Sequence, residues 1–199
     1  MYVHFFKRVI DLIFALLALP FVLLIIIIVA PFIWLDDRGP IFYAGKRIGY
    51  KGKPFGMLKF RSMKVNDHET TGWSTNQDNR RTGFGSLLRK TSLDELPQLW
   101  NVFKGDMSLV GPRPELPYFV EQFKETIPLY MVKHQVKPGI TGWAQINGLR
   151  GDTDIEKRVE YDLWYIENWS MGLDVKIIFR TVFGGMLNKE SLGTKKAPS

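Results

Sequence analysis

The 199-residue sequence predicts an α+β fold, mostly helical, on three observations. An apolar stretch near the start is long enough for a membrane helix. Two short alternating runs around a Gly/Lys turn make one β-hairpin. Several later stretches repeat apolar residues at helical spacing, with Gly and Pro between them. The expected division is a membrane-inserted helix over 1–36, a membrane-associated domain over 37–188 and a disordered tail over 189–199. That length suffices for one domain with a real core. With no cysteine in the chain, disulfides and thiolate metal sites are excluded, and a reducing compartment fits.

The formal net charge of +7 is unevenly placed. From Ile41 to Thr91 eleven Lys or Arg face only Asp67, Glu69 and Asp78, a local balance of +8, so the rest of the chain sums to −1. Such a block attracts anionic lipid, a nucleotide diphosphate or nucleic acid, or is simply a solvated surface.

Leu12 to Leu35 contains no charged residue and includes "LLIIIIVAPFIWL". As a helix it is about 36 Å long, against a hydrocarbon core of about 30 Å. It is too long for a secretory signal and lacks a cleavage site. Lys7 and Arg8 precede it, and Arg38, Lys46, Arg47, Lys51 and Lys53 follow. Basic residues at both ends place both ends in the cytoplasm. Pro20 removes one backbone hydrogen bond inside the run. A re-entrant hairpin of two half-helices is therefore expected, with a conventional span as the alternative.

"GPIFYAGKRIGYKGKPFGMLKFRSM" reads as the hairpin, turning around Tyr50 to Pro54. Alternation in its second strand puts Lys59 and Arg61 on one face, Leu58 and Phe60 on the other. "NDHETTGWSTNQDNRRTGFG" is a long polar loop, a kind that is often functional. A helix is expected from about Ser92, with Leu93, Leu96, Trp100 and Phe103 as its buried face. "GPRPELP" is a rigid bend whose prolines bracket Arg113, and "VKPGITGWAQINGLRG" is a Gly-punctuated loop. "DIEKRVEYDLWYIENW" is amphipathic, with Arg158 four residues before Asp162. Its Tyr161, Trp164, Tyr165 and Trp169 suit either core or an interfacial belt. A last helix beginning after Asp174, flanked by Lys176 and Arg180, suits the membrane plane. Internal repeats, a Walker A sequence, G-x-G-x-x-G and H-E-x-x-H are all missing.

The stretch "TSLDELPQLWN" is ambiguous on its own. Ser92 and Glu95 make an S-x-x-E capping box, the usual reading of such a pattern. Asp94 and Glu95 together also make a candidate catalytic pair.

"KRVIDLIFALLALP", "MLKFRSM", "SLDELPQLWNVFKGDMSLVGPRP", "KPGITGWAQING" and "KRVEYDLWYIENWS" together resemble the bacterial sugar transferase family, the monotopic phosphoglycosyl transferases. The resemblance runs from about Phe5 to Phe183 and is carried most specifically by Ser92 to Pro114. It implies transfer of a phospho-sugar from a UDP-sugar to polyprenol (undecaprenyl) phosphate with release of UMP and use of Mg²⁺. It implies a bacterial inner-membrane enzyme facing the cytoplasm, at the start of exopolysaccharide, O-antigen or glycoprotein glycan assembly. By the same resemblance Asp94 and Glu95 are the catalytic pair, Asp94 also meeting the metal. Lys59, Arg89, Arg113 and Asp162 contact substrate, and Pro20 is the membrane break. The small members place Ser before that proline, where this chain has Leu19. The partners implied are the UDP-sugar, the polyprenol phosphate and the lipid bilayer, with no nucleic acid. The loop and helix sequences look more like members that use glucose or galactose than those handling acetamido sugars.

The chemistry suits these residues. A carboxylate nucleophile splits a difficult phosphoryl transfer into two steps. Cations at Lys59, Arg89 and Arg113 lower its repulsion from a diphosphate. The rival is a membrane-tethered basic binding or scaffold module, for which an acidic pair serves no purpose.

Overall fold

The computed structural model describes residues 2–64, 81–151 and 153–184. Most of the expected polar loop and the expected disordered tail lie outside the described residues.

Helix α1 (Tyr2–Asp36) runs without interruption through Pro20 and Pro31. Pro20 thus does not end the helix, and the two expected half-helices are joined in one continuous helical element. The reason is packing on both sides of the proline. Ala15 and Val22 enter one apolar cluster with Met57, Leu99, Val102 and Met107, and burial there offsets the missing hydrogen bond. Further along, Val29 and Ile33 pack on Phe60 and Leu88. The opposite stripe, with Leu17, Phe21, Leu24 and Leu35, stays exposed. The segment Phe5–Asp36 is apolar and long enough to cross a membrane by length and composition.

Both ends of α1 are tied to the rest of the chain. At its start Lys7 Nζ donates to Asp174 Oδ2 at 2.5 Å. Arg8 donates to the carbonyls of Val102 and Phe103 at 2.5 and 2.8 Å. Asp11 accepts from Ser108 Oγ and Leu109 N, both at 3.1 Å. At its end Asp36 accepts from Phe84 N at 2.8 Å, and Arg61 pairs with Asp37 at 3.5 Å.

The hairpin forms as expected. Strands β1 (Phe42–Ile48) and β2 (Pro54–Phe60) are antiparallel, with Tyr43 opposite Lys59 and Ala44 opposite Leu58. A second, parallel pair was not legible. Strand β3 (Ser108–Val110) lies beside β4 (Gly139–Thr141), inside the stretch read as a loop. Three residues are too few for a period, and Gly139 packs its backbone on Gly111. A Cβ at Gly139 would stand 2.1 Å from Gly111 N, so only glycine fits.

Helix α2 (Gly83–Lys90) occupies the end of the expected polar loop and starts where Thr82 Oγ1 accepts from Gly85 N at 3.0 Å. Helix α3 is Gln98–Lys104, shorter than expected and turned differently. Leu99 and Val102 face inward, while Trp100 and Phe103 are 56% and 47% exposed. Of the expected face, Leu93 packs on the Phe60–Leu88 cluster and Leu96 is half-buried, while Trp100 and Phe103 lie on the outer side. Helix α4 (Pro117–Thr126) and the short α5 (Trp143–Ile146) lead to α6 (Ile155–Glu167), capped by Asp154, and α7 (Met171–Gly184). Asp174 thus lies in the first turn of α7 rather than before it. Of the four aromatics in and just after α6, Tyr165 is buried and donates to Asp174 Oδ1 at 2.7 Å, and Trp169 Nε1 donates to Oδ2 at 3.2 Å. Trp164 stacks on Trp143. Val175, Phe179, Val182 and Phe183 leave one side of α7 apolar and exposed.

Because Lys7, Arg8 and Asp11 rest on the folded part, the start of α1 is expected on the same side of a membrane as that part. In this cysteine-free chain a cysteine at exposed Phe5 is expected to react with an impermeant thiol reagent from the same side of sealed vesicles as one at exposed Lys53. Labelling of the two from opposite sides would show that α1 leaves the domain and spans.

Candidate active site

The helix α2 brings Arg89 to its last turn, and the chain then reverses at Ser92. That residue has φ 57°, ψ 15°, a left-handed conformation that a serine adopts at a cost of about 1–2 kcal/mol. A 3-10 turn, Leu93–Glu95, follows before Pro97 opens α3. The capping box is not formed. Ser92 makes no side-chain cap, and the Glu95 carboxylate turns to cations instead.

Those cations come from two other segments. Lys59 Nζ on β2 donates to Glu95 Oε1 at 2.8 Å and reaches Asp94 Oδ2 at 4.0 Å. Arg113, on the proline-bracketed bend after β3, grips Glu95 with two nitrogens, Nη2 to Oε1 at 2.6 Å and Nη1 to Oε2 at 3.4 Å. Both carboxylates are nearly enclosed, Asp94 at 6% and Glu95 at 9% exposure.

Their titrations diverge. Burial alone would raise Glu95, yet Arg113 and Lys59 outweigh it and hold the carboxyl well below its usual range. Burial prevails at Asp94, whose carboxyl is pushed up against the pull of Lys59, the Glu95 charge adding to the rise. Adjacent carboxyls driven apart in this way suit different chemical roles.

Sequence reasoning missed two further cations. Arg150 acts electrostatically on Glu95, and Arg47 lies in the field of Arg113, Glu115 and Glu95. The only local signal for Arg150 is the pair of glycines near it, Gly148 and Gly151, both left-handed in the structure. Arg47 had no local signal, because only the hairpin register aims it. Five cations therefore influence two carboxylates, an excess suited to an anionic ligand.

Asp162 is not brought to the pair. It is 2% exposed on α6, and its carboxylate lies 3.2 Å from Lys133 Nζ. Lys133 also approaches Glu115 at 3.9 Å, and Arg158 reaches Glu115 at 3.5 Å. The helix face of Asp162 points into the interior, which places the expected substrate contact in a buried ion cluster with Lys133, beside Glu115. Pro20 lies on the exposed side of α1, away from these groups. Among the described residues no group of three or more His, Asp or Glu converges as a metal site.

The sequence matches the Bacterial sugar transferase family over residues 2–188. The chain belongs to that family. It is 50% identical over 189 residues to a UDP-glucose:undecaprenyl-phosphate glucose-1-phosphate transferase of Escherichia coli (strain K12), covering 92% of this chain and 40% of that protein. It is 42% identical over 181 residues to a UDP-N-acetylgalactosamine-undecaprenyl-phosphate N-acetylgalactosaminephosphotransferase of Aeromonas hydrophila, covering 89% and 43%. An uncharacterized sugar transferase of Bacillus subtilis (strain 168) is 46% identical over 180 residues, covering 88% of this chain and 85% of that protein. The chain spans about two fifths of the length of the first two. In this bacterial sugar transferase the Asp94–Glu95 turn, Lys59 and Arg113 converge from segments far apart in sequence.

Ser92 gives a test of how the turn is held. Ser92→Gly relieves the left-handed strain and is expected to leave thermal stability unchanged or higher. Ser92→Val is expected to lower stability by about 2 kcal/mol and to reduce activity with it. Equal melting of the two variants would show that the turn does not need this conformation.

Proposed function

We propose that the chain transfers a sugar 1-phosphate from a UDP-sugar to undecaprenyl phosphate through an ester on Asp94. The observation that carries the reading is a pair of buried carboxylates with opposed titration under an excess of cations. A carboxylate oxygen of Asp94 attacks the phosphorus bearing the sugar. The bond from that phosphorus to the bridging oxygen breaks, and UMP leaves with the oxygen. A phosphate oxygen of undecaprenyl phosphate then attacks the same phosphorus, forming the lipid diphosphate sugar and freeing Asp94. Two displacements replace one.

Glu95 holds Lys59 and Arg113 in place beside Asp94, where both cations lie within reach of the diphosphate. Asp94 meets Lys59 only at 4.0 Å and is the freer carboxylate to react. Arg89 and Arg113 offset the charge gathered at phosphorus, an effect worth a few kcal/mol per group, on the order of 3. Mg²⁺ fits this set as an ion shared with substrate, since it is commonly held by one or two carboxylates plus phosphates. Asp94 would hold it, because Glu95 is already engaged by two cations. When bound it supplies positive charge that lowers the repulsion between Asp94 and the diphosphate.

The relatives named for UDP-glucose and UDP-N-acetylgalactosamine support a UDP-hexose donor, and the higher identity favours glucose. The exposed apolar stripe of α1, with the outer sides of α3 and α7, supports seating in the bacterial inner membrane. UDP-sugars are cytoplasmic, so the site faces that side. The product is the lipid-linked first sugar of a surface polysaccharide.

Release of UMP from UDP-glucose by the membrane-reconstituted chain is the primary test. Asp94→Asn is expected to lower it at least about a thousandfold while the protein stays folded. Mass spectrometry of wild type trapped without acceptor is expected to find a phospho-hexose on Asp94. Substantial turnover by Asp94→Asn would exclude it as nucleophile.

Activity should also have an acid limb. Only the carboxylate of Asp94 attacks, so the rate falls as pH drops through a pKa that burial raises above that of an ordinary aspartate. Lys59 pulls that pKa down, so in Lys59→Gln the limb is expected to move to higher pH. A kcat/KM profile whose limb stays in place or moves down would separate Lys59 from Asp94.

A further inference from the structure

The mechanism needs Lys59 at a set distance from the Asp94–Glu95 turn, yet these groups sit on different elements. One side chain joins them. Asn101, on α3 and 3% exposed, accepts from Leu58 N at 2.9 Å through Oδ1 and donates to Gly56 O at 2.8 Å through Nδ2. These are the bonds a third strand would make along the open edge of a two-stranded sheet. A carboxamide carries the donor and acceptor of a peptide group, so it can serve that edge. The two residues it holds flank Met57, and Lys59 follows directly after Leu58.

The same residue holds the next segment through its backbone. The carbonyl of Asn101 accepts from Gly105 N and Asp106 N at 3.0 Å and Met107 N at 3.2 Å. That turn feeds β3, which runs into Arg113. In the other direction only Leu96 to Trp100 separate Asn101 from Glu95. Three segments of the site thus meet at one side chain and its carbonyl.

We infer that Asn101 is a positioning residue that sets Lys59 against Asp94 and Glu95. The inference rests on the site reading above. Asn101 lies outside the cluster of groups assigned to substrate and acts through Lys59. A leucine here would fill space equally well, but would leave Leu58 N and Gly56 O without partners.

A double-mutant cycle tests it on the full chain in lipid, with UMP release and thermal midpoint both measured. Asn101→Ala is expected to lower kcat about ten- to hundredfold, because small misplacements of a reacting group carry penalties of that order. In a Lys59→Ala background the same substitution is expected to change kcat less than about twofold, since the group it positions is gone. Asn101→Ser, a milder change, is run through the same cycle in case Asn101→Ala does not fold. If Lys59→Ala is impaired and the two effects multiply, the positioning role is overturned while the site reading stands. Full activity in Lys59→Ala overturns the site reading, and this inference with it.

Discussion

The carboxylate of Glu95 is the contact on which the rest of the site depends. It joins the hairpin through Lys59 at 2.8 Å and the proline-bracketed bend through Arg113 at 2.6 Å. A nearly enclosed carboxylate is costly to desolvate, and only paired charge of good geometry offsets it. Here two cations outweigh burial, so the group stays ionised well below its usual range. Removing either cation would leave a buried charge half compensated, a loss of about 3–5 kcal/mol. The chain therefore has a structural reason to keep these cations together before any substrate arrives.

That arrangement sets the difference between the two neighbours in sequence. Glu95 takes the close contacts, and Asp94 is left with Lys59 at 4.0 Å and a raised carboxyl. The left-handed Ser92 turns the chain so that both side chains enter the interior instead of capping a helix. On the far side of the bend, Glu115 lies between Lys133 and Arg158, while Lys133 also holds Asp162. The Glu115 carbonyl accepts from Ile48 N at 3.0 Å, which joins the bend to the hairpin. Arg113 is thus presented by a backbone held by prolines, by a strand end and by a buried ion cluster.

Helix α1 contributes from a different direction. Its inner stripe packs on β2, α2 and α3, the elements that carry Lys59 and Arg89 and flank the acidic turn. Its outer stripe is apolar and exposed along most of its length. One helix therefore supports the site on one face and offers an apolar surface on the other. Exposed Trp100 and Phe103 on α3, stacked 5.7 Å apart, and the Phe179–Phe183 side of α7 add apolar area outside the site.

What the sequence by itself determined is local or compositional. The apolar run, the hairpin, the bracketed Arg113 and the amphipathic last helices follow from periods and from Pro and Gly chemistry, which act over a few residues. The motif block from Ser92 to Pro114 also identified the family and its acidic pair. Tertiary structure decided the rest, because those questions turn on contacts between distant segments. Ser92 and Glu95 spell a cap, but Lys59 and Arg113 bind the carboxylate more strongly than one backbone amide does. Trp100 and Phe103 keep a helical period, but packing of Leu99 and Val102 under α1 turned them outward. Pro20 removes one helical hydrogen bond, and clusters on both sides keep α1 helical through it. Asp162 is one polar position on an amphipathic helix, and only the packing shows Lys133 as its partner. Arg47 and Arg150 enter the site only through strand register and two left-handed glycines. A period shows that a face exists; which face is buried depends on what the fold brings against it.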